Sequence, residues 1–308
     1  MGRRHDGAPI HGWLVIDKPA GVSSAAVVTA VRRATGAAKA GHGGTLDPLA
    51  TGVLPVALGE ATKTVAYAMD GTKRYRFTVR WGEQRDTDDA EGDVVGVSEI
   101  RPAAEAIRSL LPRFTGDIEQ IPPIFSAVKV AGRRAYALAR ADVPVVLQPR
   151  RIHVERIDLV DRPDADHAVF EVTAGKGTYV RALARDLAVV LGTVGHVAAL
   201  RRIAVGPFTE AEAIPLDKVE SLGHSAHLEK RLLPVEAALD DIPALNLTEA
   251  EARRLRRGQP VAVLPVASRT SLKRLSKDAV VCAMAMGQPV ALARVTGGEI
   301  RPLRVLNL

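Results

Sequence analysis

The stretch Lys73-Arg74-Tyr75-Arg76-Phe77-Thr78-Val79-Arg80-Trp81 is the clearest strand signal in the chain. Lys73, Tyr75, Phe77, Val79 and Trp81 alternate with Arg74, Arg76, Thr78 and Arg80, so one face is mostly apolar and the other basic. Working upstream, Thr62 to Met69 reads as a short helix and Gly52 to Leu58 as a buried strand. Before them lies a glycine-rich loop, Gly41-His42-Gly43-Gly44-Thr45-Leu46-Asp47-Pro48. Ser23 and Ser24 cap an apolar-periodic helix, Ala25 to Thr35, that Gly36 closes. Gly12 to Asp17 is a strand ended by the turn Lys18-Pro19-Ala20-Gly21. Residues 1–10 read as a flexible tail.

Downstream of Trp81, an acidic run holds Glu83, Asp86, Asp88, Asp89, Glu91 and Asp93 against Arg85 alone. It lacks the twelve-residue calcium pattern with a closing bidentate Glu, so it reads as a solvated turn. Pro102 to Leu111 is a helix. Gly116 to Val143, carrying Lys129, Arg133, Arg134 and Arg140, looks like a basic excursion from the core. Strands follow at Val145 to Val160 and Ala168 to Ala174. Gly175-Lys176-Gly177-Thr178 then opens a helix, Tyr179 to Leu191, and Val197 to Val205 is a further strand. The remainder to about 240 is helical or looping. From Asp241 come one helix, Glu249 to Arg257, and short β-runs near 260–266, 279–285, 289–296 and 302–306. These signals place an α+β body at 11–240 and a small β-rich module at 241–308.

A length of 308 residues fits two domains, and 47% hydrophobic with 25% charged residues is a globular mix that excludes disorder throughout. The longest apolar stretches, Leu187 to Leu200 and Ala279 to Ala293, are shorter than a membrane span and broken by glycine. The basic N-terminus has no apolar run behind it, so no signal peptide is expected. Cys282 is the single cysteine, which excludes an intramolecular disulfide and a Cys-rich zinc site. A cytoplasmic, reducing compartment is the expectation.

The net charge of +7 is unevenly spread. Residues 241–308 hold eleven basic and five acidic residues, a net +6, while the rest is near neutral. A compact basic module beside a neutral body points to a polyanion partner such as nucleic acid; a solvated face without a partner is the alternative. Aromatic residues at 4% argue against a platform stacking many bases.

The chain has no phosphate-binding G-x-x-x-x-G-K-[ST], no G-x-S-x-G and no H-E-x-x-H. His224 and His227 form the one close histidine pair and suit a surface position better than a metal site. Asp47 stands out. Glycines around it allow positive φ and a close ligand approach. Pro48 biases Asp47 to an extended backbone that can turn its carboxylate outward. Composition and spacing leave two roles open, a turn cap or a catalytic carboxylate.

Four motifs together resemble the TruB family of bacterial tRNA pseudouridine-55 synthases. They are Lys18-Pro19-Ala20-Gly21-Val22-Ser23-Ser24, His42 through Pro55, Lys73-Arg74-Tyr75, and Gly177-Thr178-Tyr179-Val180-Arg181. Gln120-Ile121-Pro122-Pro123 and His196 to Arg202 fit as well, and order and spacing agree over roughly residues 11–210. Gly43 stands where many relatives carry Ala, Ser or Thr, a departure that leaves the aspartate untouched. The resemblance implies a mixed, largely antiparallel sheet flanked by helices, with a C-terminal module loosely similar to RNA-binding PUA domains. It implies isomerisation of uridine 55 in the tRNA T loop, after base flipping and with no cofactor or metal. It makes Asp47 the nucleophile, Arg181 its salt-bridge partner and Tyr75 the aromatic stacked on the base. His42, Tyr179 and Leu200 would line the flipped nucleotide. Lys18 would order the loop beneath Asp47. The 116–143 insertion, with Lys129, Arg133 and Arg134, would grip the RNA. The implied partner is the T-arm stem-loop of tRNA, with no membrane, no obligate protein partner and a monomeric state. Read without the family, Tyr75 suits a core tyrosine and Arg181 a phosphate contact in the first turn of a helix. A guide-RNA-dependent relative and a tRNA-folding chaperone are the alternative functions.

Overall fold

Alternating apolar residues on both faces of one strand explain why helices and loops cover the sheet on two sides. In the computed structural model, which describes residues 7–130, 132–141, 143–222, 230–270 and 278–308, the chain enters with β1 (Gly12–Lys18) and crosses as α1 (Ser24–Thr35). It returns through β2 (Ala40–His42) and β3 (Thr51–Leu58), then reaches β4 (Lys73–Trp81) by a 3-10 turn and α2 (Val65–Asp70). The hairpin β5 (Glu83–Arg85) and β6 (Val94–Val97), α3 (Ala104–Leu110) and β7 (Gly116–Gln120) follow. Next come a small hairpin, β8 (Lys129–Val130) and β9 (Arg133–Arg134), and α4 (Ala135–Ala139). The body closes with β10 (Arg150–Asp161), β11 (His167–Ala174), α5 (Val180–Val190), β12 (Gly195–Val205), β13 (Phe208–Thr209), β14 (Ile214–Pro215) and α6 (Leu216–Leu222).

The main sheet has the order β14-β1-β3-β12-β4-β11-β10-β7, with β2 on β3 and β13 on β12. Only β1/β14 and β3/β12 run parallel, so the sheet is mixed and largely antiparallel as expected. In β1, Leu14 and Ile16 join the core under α1, α3 and α5, while Trp13 and Val15 pack on the opposite face with Phe208 and Val235. β4 sits near the centre. Phe77, Val79 and Trp81 point into the core, where Phe77 stacks on Phe170 at 5.3 Å, while Arg74 is exposed on the other face. Ser23 caps α1 by accepting from the Ala26 amide, and Gly36 ends it at φ 66°, as the sequence signals require.

A second, five-stranded sheet forms the C-terminal module. Its strands are β15 (Ala244–Asn246), β16 (Val261–Ala262), β17 (Val280–Ala285), β18 (Gln288–Thr296) and β19 (Glu299–Val305), in the order β15-β17-β18-β19-β16. One helix, Glu249–Arg256, covers it and begins with a capping box between Thr248 and Glu251. The module has its own core, yet its end returns to the body. Leu306 is buried in the Trp13–Phe208 cluster, and the Asn307 amide donates to Glu60 at 2.7 Å.

Five expectations are corrected. Gly7–Ile10 are not a free tail, because Ala8 bridges to Ala37 at the end of α1. Gly116–Gln120 belongs to the main sheet as its edge strand, so the excursion begins only after Gln120. The strand expected from Val145 starts at Arg150, since Pro144 and Pro149 remove amides that a ladder needs. Residues 260–266 were expected as one β-run; only Val261 and Ala262 pair, and Val263–Ala267 is a helical turn that tolerates Pro265 near its start. The fifth is the acidic run, taken up with the site. His224 and His227 lie outside the described residues.

Candidate active site

Asp47 is clamped from both sides. The Ser24 hydroxyl, at the start of α1, accepts from the Leu46 amide at 2.8 Å and donates to the Leu46 carbonyl at 3.0 Å. On the other side the Pro48 carbonyl accepts from the Gly21 amide at 2.8 Å and from Lys18 Nζ at 2.9 Å. Lys18 is fully buried and also donates to the Pro19 and Val22 carbonyls. Burial pushes its pKa down to about 8, against the pull of nearby Asp47. Lys18 therefore sits behind the loop rather than in the cavity.

Glycine makes this packing possible for a reason the sequence did not show. Gly52 has φ 99°, and a Cβ there would stand 2.2 Å from the Arg202 carbonyl. The close approach is protein on protein.

The Asp47 carboxylate opens onto a cavity of about 360 Å³ that Tyr75, Tyr179, Arg181 and Leu200 also line. Tyr75 and Leu200 reach it from the neighbouring strands β4 and β12. Tyr179 precedes α5, where the buried Gln120 side chain accepts from its amide at 2.8 Å and donates to its carbonyl at 3.1 Å. Arg181 is 5% exposed, and its Nε lies 3.0 Å from Asp47 Oδ2. That N–H is not aimed at the carboxylate, so the contact is an ion pair without a well-formed hydrogen bond. The rest of the guanidinium donates to the Thr87 and Phe125 carbonyls, both at 2.9 Å, and lies 3.3 Å from Asp89.

Here the acidic run is corrected in part. Asp86, Glu91 and Asp93 are exposed as in a solvated turn, but Asp88 and Asp89 are buried, because they face Arg185 and Arg181, one turn apart on α5. Asp88 lies 3.0 Å from Arg185 Nη1 and adopts φ 61°. Burial raises its pKa to about 6, which Arg185 only partly opposes. Two carboxylate–arginine pairs thus fasten the β5–β6 hairpin over the helix that carries Arg181.

The other expected residues lie further off. His42, on β2, is half-buried; burial and the charge of Arg202 push its pKa down, and it is not among the residues lining the cavity. Lys129, Arg133 and Arg134 form the exposed β8–β9 hairpin outside the cavity, although Ser126 and Ala127 just before it contribute to the wall. Ser24, Asp89, Gln120 and Arg202 carry the site's geometry and were not singled out as site residues. For Ser24, Gln120 and Arg202 the only sequence signal was their place inside the quoted motifs and segments.

Residues 32–180 match the model of the TruB family pseudouridylate synthase N-terminal domain, and 181–240 that of the tRNA pseudouridylate synthase B C-terminal domain. The chain belongs to the TruB family. Among its relatives, tRNA pseudouridine synthase B of Rhodospirillum rubrum is 60% identical over the whole of both chains. The protein of that name from Caulobacter vibrioides is 50% identical, again over the whole of both. Among solved structures, a Cbf5-Nop10-Gar1 complex contains a chain with TM-score 0.76 and 25% identity, covering 96% of this chain and 85% of that one. This chain therefore shares its architecture with a chain of that complex.

Proposed function

We propose that the protein isomerises uridine 55 in the T loop of tRNA to pseudouridine, with Asp47 acting on a nucleotide flipped into the cavity. As a member of the TruB family it is an isomerase acting on tRNA. The observation that carries the residue assignment is the Asp47–Arg181 pair opening onto a cavity shared with Tyr75, Tyr179 and Leu200.

The reaction breaks the N1–C1′ bond and forms C5–C1′. The proton on C5 is lost and N1 gains one, so reactant and product are isomers and no cofactor is needed. Asp47 supplies the nucleophile, at C1′ or at C6. Arg181, fixed by two carbonyls and Asp89, holds that carboxylate in place. About 360 Å³ is the scale of one small ligand, not a duplex, so the uridine must leave its stack at a cost of a few kcal/mol. Tyr75 offers the face on which the base stacks, with Tyr179 and Leu200 closing the sides and His42 behind the wall. Lys18 holds the loop. The β8–β9 hairpin, with Lys129, Arg133 and Arg134, grips the T arm, and the basic 241–308 module extends the contact along the tRNA. The protein works as a monomer in the cytoplasm. Among the described residues no helix is long and apolar enough to cross a membrane.

The 50–60% identity to proteins named tRNA pseudouridine synthase B, against 25% to a chain of the Cbf5-Nop10-Gar1 complex, supports a stand-alone enzyme over a guide-dependent one. The test is to incubate the pure protein with unmodified tRNA transcript and map pseudouridine by mass spectrometry. A single site at position 55, absent from a transcript carrying cytidine there, is expected. Modification elsewhere, or only when a guide RNA is added, would overturn the reading.

A further inference from the structure

Arg202 is a charge without a counter-charge. It is 1% exposed and among the largest fully buried side chains. Its Nε donates to the Val53 carbonyl at 2.8 Å, Nη2 to Gly44 at 2.9 Å and Nη1 to Thr45 at 3.4 Å. No described carboxylate pairs with it, whereas Arg181, Arg185 and Arg201 each have one or more. An arginine stays protonated in a protein, and burying its charge costs several kcal/mol that backbone carbonyls recover only in part.

The position of the charge explains why it is there. Arg202 faces Tyr75 directly across the β12/β4 ladder, so the two side chains share one face of the sheet. Burial works against the guanidinium charge, and the Tyr75 hydroxyl partly offsets it. Both residues line the cavity onto which Asp47 opens. Lys73, which the same charge also affects, lines that cavity too.

We infer that Arg202 is a positioning residue for the isomerisation: it holds the Tyr75 hydroxyl and, through it, stabilises negative charge that develops on the uracil. The inference rests on the pseudouridine synthase reading. Either route of attack generates such charge. If C1′ is attacked, the electron pair of the N1–C1′ bond stays on the base; if C6 is attacked, addition makes an enolate over C5, C4 and O4. A fixed cation already desolvated at the pocket floor meets that charge without reorganising.

The test compares Arg202→Met, which keeps an unbranched apolar stem and removes the charged head, with Arg202→Lys, in single-turnover assays on a T-arm stem-loop. Melting temperature and RNA affinity are measured alongside, and each variant is combined with Tyr75→Phe. The Met variant should be about 100-fold slower, within the range of losing one preorganised electrostatic contact, with RNA affinity within about twofold. Lys should recover to within about tenfold of wild type. The Arg202 and Tyr75 losses should combine to less than their product, because the arginine acts through the tyrosine. Equal slowing by Lys and Met, loss confined to RNA affinity or melting temperature, or multiplicative losses with Tyr75→Phe would overturn the inference. If Arg202→Met does not fold, the Arg202→Lys and Tyr75→Phe cycle decides by the same criterion. A wild-type protein that forms no pseudouridine would instead refute the underlying function.

Discussion

Asp88 shows at a single residue how the site trades stability for position. Its folded pKa, about 6, lies above the usual carboxylate value of 3.8, so between those limits the folded chain holds more protons than the unfolded one. Stability therefore falls as pH rises through that window, and at neutral pH the ionised group costs roughly 3 kcal/mol. Asp88→Asn fits the positive φ and removes the titration. At pH 7 the variant should melt at or above the wild-type temperature, and the gap should close as pH falls towards 4. Parallel melting curves across that range would contradict the burial argument. Tyr75 gives a second residue-scale test. Tyr75→Leu removes both ring and hydroxyl and should abolish turnover with RNA affinity retained, whereas an active variant would return Tyr75 to a plain core role.

Elements formed by local rules were legible in advance. β4 showed its alternation, α1 its serine cap and closing glycine, and α5 its start after Gly177. What was not legible depends on partners far along the chain. An acidic run next to water and an acidic run clamped on α5 have the same composition; only the fold brings Arg181 and Arg185 opposite. Arg202 likewise is only one basic residue of a strand until the fold places it under the Gly44–Thr45 turn. Without the family resemblance, Asp47 would have remained undecided between cap and catalyst. The start of α1 offers an element-scale test, since Ser24 alone bonds both backbone groups of Leu46. Ser24→Ala should cost about 1–3 kcal/mol and lower turnover while tRNA affinity holds. Unchanged melting and rate would show that the loop needs no clamp from α1.

At the scale of the whole molecule, the two modules are less separable than the charge distribution suggested. Leu306 is buried against the body, and Lys63 donates to the Val305 carbonyl at 2.7 Å. Deleting residues from 241 onward would uncover the Trp13–Phe208 cluster, so truncation would confuse folding with RNA binding. Charge removal separates them. Arg253, Arg254 and Arg257 are exposed around the helix that covers the second sheet, while Lys273 and Arg274 lie outside the described residues. Replacing those three arginines by Gln should leave melting and kcat unchanged and raise KM for full-length tRNA. The slope of log affinity against log salt should flatten by roughly two units. An unchanged slope would make the basic module a solvated face.

The central claim is that Asp47 performs the chemistry, and Asp47→Asn tests it most directly because it keeps size and polarity and removes only the charge. The measurement is single-turnover pseudouridine formation on unmodified tRNA, with tRNA affinity determined on the same samples. The account expects no detectable pseudouridine and near wild-type affinity. Turnover above about 1% of wild type would contradict it, since a 100-fold loss is only about 2.7 kcal/mol, less than a covalent catalyst supplies.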